Sequence, residues 1–427
     1  MGKLIITHVT VDGKNLLFRG LHKENRFCDI GLNSGENTEH ENDYVGDDKA
    51  GNIYVGFVKD IVKNINAAFV EYQKGKIGYF SIADEEPIFL NNKANQTLCQ
   101  GDLVLVQLKK EAVKTKAPVL TSKISFSGRY IVLNVSKSGV GFSNKIGDHD
   151  FKTEVRKSIA RLLDDIFHDT GEKYGVVIRT NAIEADAGEI EKELIRLVNN
   201  YREMLENAKY KTRFSVIKKD EPQYLKMITG AYDNEIDEII TDDLFIYQKV
   251  KDYILCNEIE KYKEIIRLYD DKLLPLHKLY SVEKTVKEIR NKKVWLNSGA
   301  YLVIEQTEAM VVIDVNTGKC IKGKDIKKTI LNVNLEAAKE IAYQLRLRNL
   351  SGIIMIDFIS MTDEEDKKKV VDCVKKCIRN DKVRTDFVEM TKLDLVELTR
   401  KKIEPPVYEQ IERIIDSVTP RDRYNQL

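Results

Sequence analysis

The sequence predicts a multidomain α/β protein, and two stretches carry that prediction. Between Glu308 and Asp357 there is an apolar run ending in a carboxylate, then an amphipathic helical segment, then a second apolar run ending in a carboxylate. This is the pattern of a strand–helix–strand unit with parallel strands. Between Gly51 and Lys116, short apolar runs with interleaved aromatics recur at close spacing, which predicts a small β-barrel. A length of 427 residues suits several domains at roughly 150 residues each.

The chain reads in order as follows. Leu4–Val9, Leu16–Leu21 and Arg26–Leu32 are short strands, closed by an acidic, Gly- and Asn-rich stretch from Asn33 to Asp48 that reads as a solvated loop. Ile53–Val58, Ala67–Tyr72, Ile77–Ile82 and Leu103–Leu108 are the barrel strands. A strand over Arg129–Val135, a helix over about Lys152–Ile166 and a strand Gly175-Val-Val-Ile-Arg179 follow. Ile190, Leu194, Leu197, Val198, Tyr201, Met204 and Leu205 then repeat at i, i+3/i+4, predicting a long amphipathic helix. Residues 214–290 alternate short strands (Phe214–Ile217, Glu238–Thr241) with acidic helices and show no chemistry. The boundaries expected are 1–50, 51–118, 119–213, 214–290, 291–403 and 404–427.

Composition excludes several classes. Lys+Arg at 69 against Asp+Glu at 68 leaves +1, so any nucleic-acid binding must rest on local positive charge. No apolar run approaches a membrane span, and Met-Gly-Lys-Leu-Ile-Ile-Thr-His reads as a strand and not as a signal peptide. Only 7 prolines and no low-complexity tract point to a soluble, folded chain. Cys28, Cys99, Cys256, Cys320, Cys373 and Cys377 contain no Cys-x-x-Cys pair, and Cys373 with Cys377 reads as two ordinary thiols on one helix face. The sequence holds no His-Glu-x-x-His, Walker loop, Gly-x-Ser-x-Gly or Gly-x-Gly-x-x-Gly. Chemistry must therefore come from carboxylates.

Glu308-Ala-Met-Val-Val-Ile-Asp314 and Gly352-Ile-Ile-Met-Ile-Asp357 are the candidates. Their near-continuous apolar character predicts strands covered on both faces. Parallel strands put Asp314 and Asp357 at the carboxyl-terminal edge of the sheet, where sites of α/β folds lie. On adjacent strands, ~4.8 Å apart, both carboxylates reach one hard cation. Clustered anions need a counter-charge, and Mg²⁺ with oxygen ligands and retained waters would supply it. The other reading is that both are capping or turn aspartates. Asn316, and a loop carrying Lys319, Lys322, Lys324, Lys327 and Lys328, favour the metal.

Here the sequence resembles the ribonuclease E/G family. Ile313-Asp-Val-Asn316, Asn334-Leu-Glu-Ala-Ala-Lys-Glu-Ile-Ala-Tyr-Gln-Leu-Arg-Leu-Arg348 and Gly352-Ile-Ile-Met-Ile-Asp-Phe358 look like its catalytic core over about fifty residues without a gap. The resemblance implies Asp314 and Asp357 as ligands of one catalytic Mg²⁺, with Asn316 beside them. Gly51-Asn-Ile-Tyr54, Ala67-Ala-Phe-Val-Glu-Tyr72 and Gly78-Tyr79 look like the family's OB-fold RNA-binding module. It implies RNA contacts by Phe69, by Tyr79 in place of a Phe, and by Lys116. Gly128-Arg-Tyr-Ile-Val132 and Ile178-Arg-Thr180 look like the pocket for a monophosphorylated 5′ end, implying that Gly128, Val132, Arg179 and Thr180 bind that phosphate. Ser136–Lys145 departs from the family's pattern. The resemblance covers about residues 50–402, more weakly over 214–290. It implies ribonuclease-H-like and deoxyribonuclease-like α/β subdomains with the OB-fold barrel inserted, the first formed by 1–50 with 214–290 and the second by 291–403.

After Glu404-Pro-Pro-Val-Tyr-Glu-Gln-Ile411 the sequence runs to Leu427 with no Cys beyond Cys377, so no zinc and no zinc-linked dimer is expected, and any homo-oligomer would form otherwise. Lys109, Lys110, Lys114, Lys116 and Lys123 beside the barrel, and the lysines of 319–328 beside the carboxylates, suit a single-stranded RNA track. The function implied is a bacterial, cytoplasmic, Mg-dependent endoribonuclease, with no membrane partner, acting in ribosomal and transfer RNA processing and messenger RNA decay. Attack by metal-activated water would leave a 5′-phosphate and a 3′-hydroxyl. His8, His22, His40, His149, His168 and His277 lie outside the motifs and have no assigned role. Two other classes compete: an RNA-binding protein of the same fold without turnover, and a phosphodiesterase acting on DNA or a small phosphoester.

Overall fold

The structure, a computed structural model, describes residues 2–35, 49–91, 97–112, 117–135, 138–167, 174–230, 235–318, 326–379 and 381–416. Most of the acidic stretch to Asp48, with Lys114, Lys116, Lys319, Lys322 and Lys324, lies outside the described residues. The chain divides into two compact units, Met1–Glu41 with Asn234–Leu427, and Asn42–Asp233. Among the described residues, no helix is long and apolar enough to cross a membrane.

In the Asn42–Asp233 unit, strands Ile53–Val62, Ala67–Gln73, Lys76–Ser81, Val119–Thr121 and Leu103–Lys110 pair in that order, and the last closes back on the first. This five-stranded closed barrel leaves no open edge among its members. Alternation decides what fills it. Ala68, Val70 and Tyr72 point inward to meet Tyr54, Val58 and Phe80, while Phe69 faces outward. A four-stranded sheet follows, ordered Ser125–Ser127, Ile131–Val135, Tyr174–Ile178, Gly139–Phe142, with helices His149–Phe167 and Ala187–Lys209 packed on it. The second helix starts at a capping box between Asp186 and Glu189. Its buried positions, Ile190, Leu194, Leu197, Val198, Tyr201 and Met204, are those the periodicity picked out.

The other unit holds two sheets. The first joins Gly2–Val11, Lys14–Lys23 and Arg26–Ser34 as an antiparallel meander to Glu238–Thr241 and Ile266–Leu268, which run parallel to the first strand. The second is six-stranded, ordered Lys293–Trp295, Tyr301–Gln306, Met310–Asn316, Gly352–Asp357, Leu395–Arg400, Thr385–Met390. Met310–Asn316 and Gly352–Asp357 are the expected parallel neighbours, connected by helix Ile326–Leu347. Every other pairing in this sheet is antiparallel.

One expectation about these two strands is corrected. They are covered on one face only. Val311, Ile313, Ile354 and Ile356 pack against Val333, Ala337, Ile341, Val370 and Val374 of helices Ile326–Leu347 and Glu364–Arg379. Val312 at 38% and Ile353 at 42% exposure face the other way, with Asp314 and Asp357. The antiparallel flanking strands explain this, since both crossover helices lie on the same side and mixed sheets tolerate a solvated face.

A buried ion pair pins the start of the Asp357 strand. Arg400, paired in register with Gly352, donates from Nε and Nη2 to the Asp381 carboxylate at 2.7 and 3.3 Å. Its Nη1 donates to Asn349 Oδ1 and Leu350 O, both at 2.9 Å. Arg400 is 4% and Asp381 5% exposed. Removing one partner strands a buried charge, so Arg400→Met should destabilise this unit by about 3–5 kcal/mol in urea unfolding, whereas the pair replaced together by apolar residues should cost much less. A neutral single substitution would show that the pair does not hold the strand.

Candidate active site

Asp314 and Asp357 are direct Cα partners across the parallel ladder. Directly paired residues put their side chains on one face, and neighbouring strands lie ~4.8 Å apart. Both carboxylates therefore project together from the solvated face, and both are exposed. Asn316, two residues on, is on the same face and its Nδ2 donates to Asp314 Oδ2 at 2.7 Å, fixing that carboxylate's orientation. Asn334, fully buried on helix Ile326–Leu347, braces the segment after Asp357: its Nδ2 donates to Ile359 O at 2.8 Å and its Oδ1 accepts from Ile359 N at 3.1 Å.

Among the described residues, no group of three or more His, Cys, Asp and Glu side chains could hold a metal. A pair of hard oxygen ligands plus an amide suits Mg²⁺, which binds through one or two carboxylates and fills the rest of its shell with water and substrate phosphate. No described Lys, Arg or His forms an ion pair with either carboxylate, and two adjacent anions favour a cation between them. The residues present fit the ion. Lys327 and Lys328 begin the crossover helix.

Phe69 and Tyr79 are brought together on the outer surface of the barrel as Cα partners on neighbouring strands. Their ring centroids are 6.5 Å apart at 78°, edge to face, and both rings are half-buried while their neighbours Val70 and Phe80 fill the core. Lys116 falls outside the described residues. Lys109 and Lys110 are exposed at the end of their strand, and Lys123 is engaged with Asp84 O. Phe57, unmarked in the sequence, shares the outer face with Glu71 and has Lys59 and Arg213 within 6.0 and 5.6 Å of its ring. What the sequence does not show is that Lys59, beyond the bulge after Val58, and the remote Arg213 gather at this ring.

Gly128, Arg179 and Thr180 are also brought together. Arg179 N donates to Tyr130 O at 2.7 Å, and its Nη1 donates to Gly128 O at 2.5 Å. Thr180 Oγ1 donates to Ser143 Oγ at 3.2 Å. Val132 is paired with Val177 in the ladder, half-buried. The backbone amides of Arg129, Tyr130 and Ile131 are taken by one carboxylate: Glu193 accepts from them at 2.7, 2.8 and 2.9 Å. A Cβ on residue 128 would collide with that carboxylate, so glycine is needed there for close approach to the chain's own anion. Nothing in the sequence marked Glu193, which sits among charges on a helix whose other face is apolar.

The remaining polar candidates are structural. His8 Nε2 lies 3.0 Å from Asp243 Oδ2, and Asp243 caps helix Leu244–Cys256 by accepting from Ile246 N. The hydrogen bond raises His8 and lowers Asp243 from their usual pKa ranges. The five described cysteines are free thiols. Burial pushes the Cys28 thiol up to about 11, and burial together with the neighbouring Cys373 raises Cys377, both away from the thiolate that a nucleophile needs.

The chain was also compared with known proteins. The model of the Ribonuclease E/G family matches residues 125–403. Ribonuclease E of Synechocystis is 32% identical over 370 residues, which cover 85% of this chain and 54% of that protein; ribonuclease E of Nostoc is 32% identical over the same length, 85% and 53%. Ribonuclease G of Escherichia coli is 30% identical over 382 residues, 87% of this chain and 75% of that protein. The chain thus spans about half the length of the cyanobacterial relatives it matches.

Glu193→Ala would orphan three backbone donors at roughly 1–3 kcal/mol each. It should lower the stability of the Asn42–Asp233 unit by about 3 kcal/mol or more in urea unfolding, with Glu193→Gln recovering part of the loss. Unchanged stability in Glu193→Ala would mean that water satisfies these amides without cost.

Proposed function

The chain belongs to the ribonuclease E/G family, and from that premise we propose that it is an Mg-dependent endoribonuclease acting on single-stranded RNA. The observation that carries the reading is the register match of Asp314 with Asp357 on an exposed sheet face. When bound there, Mg²⁺ would supply Lewis-acid activation of water and neutralise charge on the scissile phosphate. Asp314 and Asp357 would hold the ion, and Asn316 keeps the Asp314 carboxylate turned for that task. Among the described residues no helix packs on the solvated face that carries them, which suits a strand of RNA lying along it. In-line attack by water leaves a 5′-phosphate and a 3′-hydroxyl, which needs no histidine pair. Phe69 and Tyr79 offer ring surface on which bases of a single strand can stack.

The same reading makes Arg179 and Thr180 the contacts for a 5′-monophosphate. A guanidinium carries five N–H donors in a planar fork, so its hydrogen bond to Gly128 O is compatible with phosphate recognition. The amides of 129–131 serve Glu193, so the phosphate contacts fall to the two side chains. The sheet joining residues 2–34 to 238–268, three parallel strands with an antiparallel meander, supports the ribonuclease-H-like subdomain, and the six-stranded sheet supports the deoxyribonuclease-like one.

Asp314→Asn and Asp357→Asn should each lower kcat/KM for RNA cleavage by about 100-fold or more while leaving RNA affinity and Tm near wild type. Full activity of either variant with Mg²⁺ as the sole divalent ion would overturn the metal assignment. Arg179→Ala should lower kcat/KM on 5′-monophosphorylated RNA by about 10-fold or more, the worth of a charge-assisted hydrogen bond, and leave the 5′-hydroxyl substrate nearly unaffected. Equal slowing of both substrates would make Arg179 a structural or general RNA contact.

A further inference from the structure

We propose that Trp295, Tyr301 and Lys293 form a base- and phosphate-binding platform beside the carboxylate pair, holding the nucleotide next to the scissile phosphate. The inference rests on the endoribonuclease reading above. Its basis is the register of the sheet. Lys293 is the Cα partner of Val303, Val303 of Asp314, and Asp314 of Asp357, so these four side chains form one row on the solvated face. Trp295 pairs with Tyr301 and Tyr301 with Asn316, giving the next row on the same face. The aromatic pair therefore abuts the residue that orients Asp314, with no bulge in any of these pairings.

The side chains are organised as a unit. The Trp295 and Tyr301 ring centroids are 5.3 Å apart with the planes tilted by 60°. Lys293 Nζ lies 4.1 Å from the centroid of the first ring and 3.6 Å from that of the second, held by both π faces. A packing role would bury the indole, yet Trp295 is 63% exposed. An ammonium fixed between two rings is a positioned cation, and beside an anionic cation-binding pair its natural counter-ion is a substrate phosphate. Two strand spacings separate Lys293 from Asp314, roughly 10 Å, which directs the lysine to a phosphate adjoining the cleaved one. The indole surface left open by Lys293 suits a stacked base, and stacking tolerates any base because each has a π face.

Trp295 is the only tryptophan in the sequence, so its fluorescence reports on this platform alone. The full chain carrying Asp314→Asn, which should bind RNA without cutting it, is titrated with an end-labelled single-stranded oligoribonucleotide. Label anisotropy and tryptophan emission are followed together. The emission should be quenched with the midpoint seen by anisotropy. One abasic nucleotide beside the cleavage position should relieve the quenching. Trp295→Ala should weaken binding of intact RNA about 5- to 150-fold, Trp295→Phe should restore most of it, and Lys293→Ala should reduce the salt slope by about 1. RNA bound at wild-type affinity with unchanged emission, and with Trp295→Ala neutral, would overturn the platform while leaving the functional reading standing. RNA that fails to bind at all, by anisotropy, would overturn both.

Discussion

Everything at the proposed catalytic centre depends on the register between two parallel strands. Asp314 faces Asp357 because Ile313 faces Ile356, and those isoleucines are buried against the two covering helices. A slip of one residue would drive a carboxylate into that core and turn an isoleucine to water. The hydrophobic pattern that stabilises the sheet is thus also what aligns its charges. Two buried polar groups fix the ends: Arg400 with Asp381 at the start of the Asp357 strand, and Asn334 after its end. Both are buried, and both work by limiting where a strand can lie.

The one-sided sheet gives this constraint its use. A doubly covered parallel sheet leaves only its strand ends accessible, and its sites lie at the carboxyl-terminal edge. Here, among the described residues, the flanking antiparallel strands leave a face without helices, and side chains from four strands share it. An extended polyanion can lie along such a face. A closed crevice would take only a terminus or a small molecule.

Much of this was legible in the sequence, for identifiable reasons. Gly352–Asp357 and Glu238–Thr241 have the bounds the sequence suggested, because each is a short apolar run with abrupt polar ends. The helix Ala187–Lys209 was legible through its 3.6-residue period. Helix Ile326–Leu347 begins eight residues before the predicted Asn334, since Lys327 and Lys328 in its first turn read as a continuation of the lysine-rich loop. The open face was misread because Val312, Ile353 and Met355 are apolar yet not buried in the sheet's core, and an apolar run cannot say which of its residues meet solvent. Contacts between distant segments were the hardest to foresee. Glu193 reaches the amides of 129–131 across more than sixty residues, and its neighbours in the sequence give no hint of that partner.

The five-stranded sheet has a bearing on how the chain reaches this state. Its first strand pairs with Glu238–Thr241, a contact between residues 235 apart, while the intervening Asn42–Asp233 segment has a core of its own. Closing so long a flexible loop is entropically unfavourable, though the cost rises only with the logarithm of its length. Once the intervening segment has collapsed, the two strands are tethered by a compact body and not by a free coil. Emerging from the ribosome, the amino-terminal meander must therefore wait with one edge unpaired until residues 238–268 have been made. During that interval it is the part of the nascent chain most exposed to wrong strand partners.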